Sequence, residues 1–364
     1  MNLRTCFFIL RGASVSAALL LALTLATFVI FFRIPADPAN FLLRDPQRAT
    51  DAERAAARRA LGIDQSVALQ YLRYLKRLSR GDLGYSWAGA QVGINGQASG
   101  IPVRPKIEAA AKVTGSLALG GALCLVILAI PLGLATGAKP RSKLDRFAGA
   151  TSVLGVSLHP LLLGIGLQIA FTQWLHVLPQ RSYCSPFGRS YSSSPDGLSL
   201  TSCGGVASWA DHLLLPWITF ALFFVALYAR TTRSRVEELL REPWAQVARA
   251  KGMSEPRLLL RHILPNAAPQ IISMLAMDLG LAVGLAIYVE TVFGLPGLGK
   301  LLLDSLQGNE GFDLPVICGI VLTTGTAIIL SNLLADLAAA WIDPRLRNSR
   351  TLAHRQSRTV HRLS

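Results

Sequence analysis

What most limits the folding of this chain is the recurrence of apolar runs of about 20 residues, the length a helix needs to cross a hydrocarbon core. They lie at about Ala13 to Phe32, Val113 to Ala138, Phe147 to Leu175, His212 to Ala229, Ala267 to Tyr288 and Leu314 to Trp341. Charged residues make up only 16% of the 364, and the mean hydropathy is +0.42, which excludes a pair of soluble domains. In lipid every backbone N–H and C=O must be bonded within its own element, so such runs fold as helices. The expectation is an all-α integral membrane protein with six transmembrane helices. The first run follows Arg4 and Arg11 as a secretory signal would, but it is too long and lacks a small-residue cleavage site, so it reads as a retained span.

The net charge of +15 does not point to nucleic acid. The basic residues border the apolar runs and fill particular loops, a pattern that reports topology, and no aromatic residues interleave with them. The short loop from Lys139 to Arg146 carries Lys139, Arg141, Lys143 and Arg146 against Asp145, and is expected in the cytoplasm. The loop from His176 to Asp211 holds only Arg181 and Arg189 and is expected outside. Both termini then fall in the cytoplasm, and by parity the polar segment from Arg33 to about Lys106 falls outside, with surface helices near Asp51 to Leu61 and from Val67 to Leu78, the second ended by Gly81. The expected organisation is 1–112 as first span plus extracytoplasmic segment, 113–344 as transmembrane core, and 345–364 as a basic cytoplasmic tail that either meets anionic lipid or stays disordered.

Between the fourth and fifth runs lies a polar island, 230–265, in which Val236, Leu239, Leu240, Trp244 and Val247 recur at helical spacing. Pro243 suits the first turn of a new helix, Gly252 a helix stop, and Ser254, before Glu255 and Pro256, the cap of another helix that ends near Pro265. A pair of short amphipathic helices around a glycine turn presents a surface to another protein.

No CxxC, HExxH or clustered His and Asp set offers a metal site, and no catalytic constellation stands out, so the chain is expected to be neither an enzyme nor a holder of a cofactor. Gly294, Gly299 and Lys300 have P-loop spacing, yet Leu301 replaces the magnesium-binding hydroxyl and no strand precedes them. A tight turn explains them better. Ionisable residues at membrane depth are candidates for a transport path or for pairing with a partner, namely Asp278 and Glu290. His159, before Pro160, is equally placed to fill a freed backbone bond. Cys184 and Cys203 share the outside loop and are candidates for a disulfide.

The island also resembles the EAA loop of permeases of ATP-binding-cassette importers. The pattern's positions are Gln246, Val247, Ala248, Gly252, His262, Leu264 and Pro265, with Gln246, Val247 and His262 differing in residue type. The segments 81–86 (GDLGYS), 289–299 (VETVFGLPGLG) and 342–347 (IDPRLR) resemble the dipeptide, oligopeptide and nickel branch of that family. The resemblance implies a type I importer permease of the bacterial inner membrane, translocating peptides, with nickel chelates or a related small solute as the alternative. It implies a second related permease, an extracytoplasmic binding protein and two ATPase subunits that carry the ATP and magnesium. It assigns ATPase coupling to Gln246, Val247, Ala248, Gly252, Met253, Ser254, Glu255, Leu264 and Pro265. A self-sufficient secondary transporter using Asp278, or a membrane anchor, would leave an EAA-spaced loop without explanation.

Overall fold

The computed structural model describes residues 3–33, 43, 49–61, 66–87, 91–92, 98–99, 101–157, 159–176, 183, 189–194, 197–202, 205–307 and 312–342. The described chain is mostly helical. Its helices are α1 (Leu3–Arg33), α2 (Asp51–Leu61), α3 (Val67–Leu78), α4 (Val103–Ala138), α5 (Lys143–Ser157), α6 (Pro160–Gln168), α7 (Val206–Arg241), α8 (Pro243–Ala250), α9 (Glu255–Leu258), α10 (Leu264–Phe293), α11 (Leu298–Gln307) and α12 (Leu314–Ile342). Two antiparallel pairs accompany them, β1 (Gln91–Val92) with β2 (Ala98–Ser99), and β3 (Arg189–Ser194) with β4 (Gly197–Ser202). Cys184, Cys203 and the basic tail lie outside the described residues.

Among the described residues, four helical stretches are long and apolar enough to cross a membrane: Leu10–Ile30, Val103–Ala138, Val206–Arg241 and Leu314–Leu334. A fifth is added if Gly284–Phe293 and Leu298–Gln307 count as one broken span. The third apolar run is not a single helix. His159 adopts an extended backbone (φ −65°, ψ 139°) because a residue before proline is pushed out of the helical region, and α6 restarts at Pro160. Its imidazole Nδ1 accepts the Leu161 N–H at 3.2 Å, so His159 caps α6.

The chain divides into two compact units. One comprises Met1–Arg11, Gly115–Leu295 and Ser331–Ser364; the other comprises Gly12–Thr114 and Pro296–Leu330.

Within the first unit, glycines set the approach of α4 to α7. A Cβ on Gly133 would fall 2.5 Å from Thr232 Cβ and 2.9 Å from the Ala229 carbonyl oxygen. One on Gly137 would fall 2.8 Å from Val236 Cβ and 2.9 Å from the Arg233 carbonyl oxygen. Small residues one turn apart let two backbones meet, the usual device where lipid offers no hydrophobic drive. Further back Gly120 faces Trp217 and Gly121 faces Phe220, so the two helices run parallel. Trp217 also donates its indole N–H to the Ser116 carbonyl at 3.0 Å.

In the second unit α3 packs on α1 through a cluster of Phe28, Tyr74 and Leu322. The Tyr71 and Tyr74 hydroxyls bond Thr24 and Thr27 at 3.0 and 3.1 Å. The expected surface helix is therefore one-sided, with its tyrosine face sealed. A second cluster joins Val103, Ile107 and Ala110 of α4 to Leu298 of α11 and to Val316 and Ile320 of α12.

Candidate functional site

The polar island folds as a helix, a glycine turn and a second helix. Glu242 closes α7 with an extended backbone (φ −65°, ψ 143°), and Pro243 occupies the first turn of α8, where its missing N–H costs nothing. At the far end Gly252 takes φ +80°. Its N–H bonds the Arg249 carbonyl at 2.9 Å, and the Met253 N–H bonds the Ala248 carbonyl at 3.2 Å. These two bonds make a Schellman turn, which satisfies carbonyls that the helix end would otherwise leave open. Arg249 then grips Glu255 across the turn, Nε to Oε1 at 2.6 Å and a terminal nitrogen to Oε2 at 3.2 Å. That bond raises the Arg249 pKa further above its ordinary value.

Two expectations need correction. Ser254 stands at the N-cap of α9 but makes no side-chain cap bond. Pro265 does not end a helix. The run continues from α9 through a π-helical turn, Leu259–Ile263, into α10. A proline there can donate no backbone bond, and the wider turn falls just before it, with Leu264 N–H reaching back to the Leu259 carbonyl. Asn266 adds a side-chain bond to the His262 carbonyl at 2.7 Å.

The geometry brings Gln246, Val247, Ala248, Gly252, Met253, Ser254 and Glu255 together around one turn. Leu264 and Pro265 lie beyond it, where α10 begins. Ala245, Leu258 and Ile263 are fully buried and α8 packs on both α7 and α9, whereas Trp244 and Val247 remain 38% and 53% exposed. A buried inner side with an exposed apolar outer side is a rigid knuckle offering contact area to another protein.

Asp278, expected at membrane depth, has a partner. Tyr228 on α7, itself buried, donates its hydroxyl to Asp278 Oδ2 at 2.8 Å. Glu290 is fully buried. Its carbonyl receives the N–H of Gly294, left-handed at φ 66°, and that of Leu295. The P-loop-like residues follow a helix rather than a strand, and Lys300 pairs with Asp304 one turn on in α11, at 2.6 Å.

Two arrangements had no signature in sequence. Asp145 receives Arg233 in a two-pronged ion pair at 2.5 and 2.9 Å, 88 positions away. In the other unit Asp313 receives the Ser86 hydroxyl and the Trp87 N–H, the latter at 3.1 Å. Nothing local marks either pair; the one hint was that Asp145 is the lone acid in an otherwise basic loop.

The sequence matches the profile of the binding-protein-dependent transport system inner membrane component over residues 129–348, and that of its N-terminal region over 5–91. The protein named "Probable D,D-dipeptide transport system permease protein DdpB" of Escherichia coli strain K12 is 33% identical over 88% of this chain and 91% of its own. The dipeptide transport system permease protein DppB of the same strain is 30% identical over 94% and 99%. The oligopeptide transport system permease protein AppB of Bacillus subtilis strain 168 is 29% identical over 93% and 98%.

Proposed function

This chain belongs to the family of binding-protein-dependent transport system inner membrane components, and from that premise we propose that it is the permease subunit of an ATP-driven importer of di- or oligopeptides. The observation that carries the reading is similarity, over 88% to 94% of this chain, to permeases named for dipeptides and oligopeptides.

In this reading the chain catalyses nothing itself. It sits in a bacterial inner membrane beside a second, related permease. An extracytoplasmic binding protein delivers the peptide, and two ATPase subunits bind ATP and magnesium. Six spans with both termini in the cytoplasm fit the parallel course of α4 and α7, since the second and fourth spans of such a chain cross in the same direction. The fifth and sixth spans beyond the four long helices would be α5 with α6, and α10. The 33–106 segment is extracytoplasmic, 113–344 forms the core, and 345–364 is a cytoplasmic tail.

Coupling belongs to the knuckle from Gln246 to Glu255, with Leu264 and Pro265 carrying displacement into α10. ATPase closure pushes the Gly252 turn, and the helices respond as bodies rather than bending locally. Asp278 and Glu290 belong to the path or its walls.

The decisive experiment is uptake by the assembled importer across a panel of labelled peptides, with the isolated chain as control. Uptake that needs ATP, the ATPases and the binding protein supports the reading. Uptake by the isolated chain that follows a proton gradient and disappears in Asp278→Asn would replace it with a secondary transporter.

A further inference from the structure

The turn joining α4 to α5 is held more firmly than a connecting loop requires. Arg141 is left-handed at φ 65°, a conformation that a residue with a Cβ adopts only when its surroundings impose it. Asp145 imposes it by accepting the Arg141 N–H at 2.8 Å, while Ser142 Oγ accepts the Asp145 N–H at 3.1 Å. The same carboxylate takes both prongs of Arg233 on α7, and its side chain is only 11% exposed. Arg233 lowers the Asp145 pKa first and the Arg141 N–H second, so the carboxylate is ionised at neutral pH.

The pair sits where the backbones touch, because the carbonyl of Arg233 itself faces Gly137 at the end of α4. It also opens a chain of charges running down α7: Arg233 lies 3.7 Å from Glu237, and Glu237 bonds Arg241, the last residue before the corner into α8. The turn and the coupling knuckle are thus connected through the end of one helix.

We propose that Asp145 and Arg233 are positioning residues of transport, clamping the α4–α5 turn to α7 so that α4, α5 and α7 move as one body with α8. The clamp rests on the reading of the chain as an importer permease. It adds a role for a loop that the EAA pattern does not contain. Without the clamp, a push on the knuckle would be absorbed by movement of the α4–α5 turn away from α7, beyond the last glycine contact at Gly137.

Two measurements test it. In the purified full-length chain, with native cysteines replaced, spin labels on Lys143→Cys and Gln246→Cys should give one narrow distance distribution. It should broaden by about twofold in Asp145→Asn or Arg233→Gln. This measurement needs neither substrate nor partner, and an unchanged width in Asp145→Asn would overturn the clamp. In proteoliposomes with the binding protein and both ATPases, uptake of radiolabelled alanyl-alanine should fall about tenfold in either single variant while ATP hydrolysis falls less than about twofold. Arg233→Lys, which keeps the charge but not the fork, should fall between. A failure of the unmodified importer to take up peptide would sink the peptide reading while the label distances still decide the clamp. Equal losses of uptake and hydrolysis would reduce the pair to a folding contact and overturn the proposal.

Discussion

Asp145 and Asp313 perform the same mechanical task with opposite chemistry. Each fixes a turn by accepting a backbone N–H together with a side-chain donor. Asp145 takes a guanidinium, and Arg233 is 31% exposed. Asp313 is 5% exposed and its direct donors are neutral, the Ser86 hydroxyl and the Trp87 amide, with Lys106 reaching Ser86 at 3.1 Å. Around Ser86 the chain is pinned further: its N–H bonds the Ile101 carbonyl at 2.9 Å, and the Val103 N–H bonds that of Gly84 at 3.0 Å. A wet ion pair is weakened by salt and can re-form after motion, whereas a buried carboxylate stripped of its donors has no water to replace them. The first suits a joint that is loaded in every cycle; the second suits a fixture that stays made.

The sharpest break in this contrast is Asp313→Ala, which leaves two buried donors unmet. It should cost about 3 kcal/mol, read as a lowered unfolding midpoint in detergent, with no dependence on salt. Next comes Gly137→Ala, whose new methyl meets backbone as well as side chain; about 2 kcal/mol is expected, together with the label broadening predicted for loss of the Asp145 pair. Asp145→Asn itself should cost about 1 kcal/mol, and most of that difference should vanish in molar salt. Its pH dependence follows from the sign of the shift. A folded-state pKa held below the ordinary aspartate value of about 3.9 gives stability that is fully present above that value and is lost as the pH falls through the lower folded value. Unfolding midpoints of the native chain should therefore be flat near neutrality, with the gap to Asp145→Asn closing only in acid. Smallest is Glu255→Gln, whose exposed pair with Arg249 should contribute under about 1 kcal/mol. At the neighbouring turn Gly252→Asn should transport better than Gly252→Val. A Cβ there meets nothing within 4 Å, so only the left-handed backbone discriminates, and equal activity would mean that the turn does not need that conformation.

How much of this was legible in sequence follows the range of the physics involved. Local rules found α2 and α3 at their observed limits, the restart at Pro243 and the helix stop at Gly252, because each depends on a few adjacent residues. The β3–β4 pair, 189–194 with 197–202, was missed. Its serine-rich segments lack the apolar alternation that marks a strand. The break at His159 was hidden because hydropathy averages straight across a proline. The distant partners of Asp145, Asp278 and Asp313 could not be named, since each lies at least 50 positions away and no periodicity encodes such a distance.

The π turn at Leu259–Ile263 changes what an alignment of helical faces can mean. It holds one residue more than an α-helical turn would, which shifts the phase of every side chain beyond it by about 100°. A 3.6-residue wheel places Asp278 about 200° from Leu258, and the π turn changes that separation by about 100°. Deleting Leu260 would let the run relax into plain α-helix and swing Asp278 about 100° around the axis of α10, away from the Tyr228 hydroxyl, with no change to any residue in the membrane. The orientation of the Asp278 carboxylate is thus recorded in the loop that precedes α10, as a count of residues rather than as their identity.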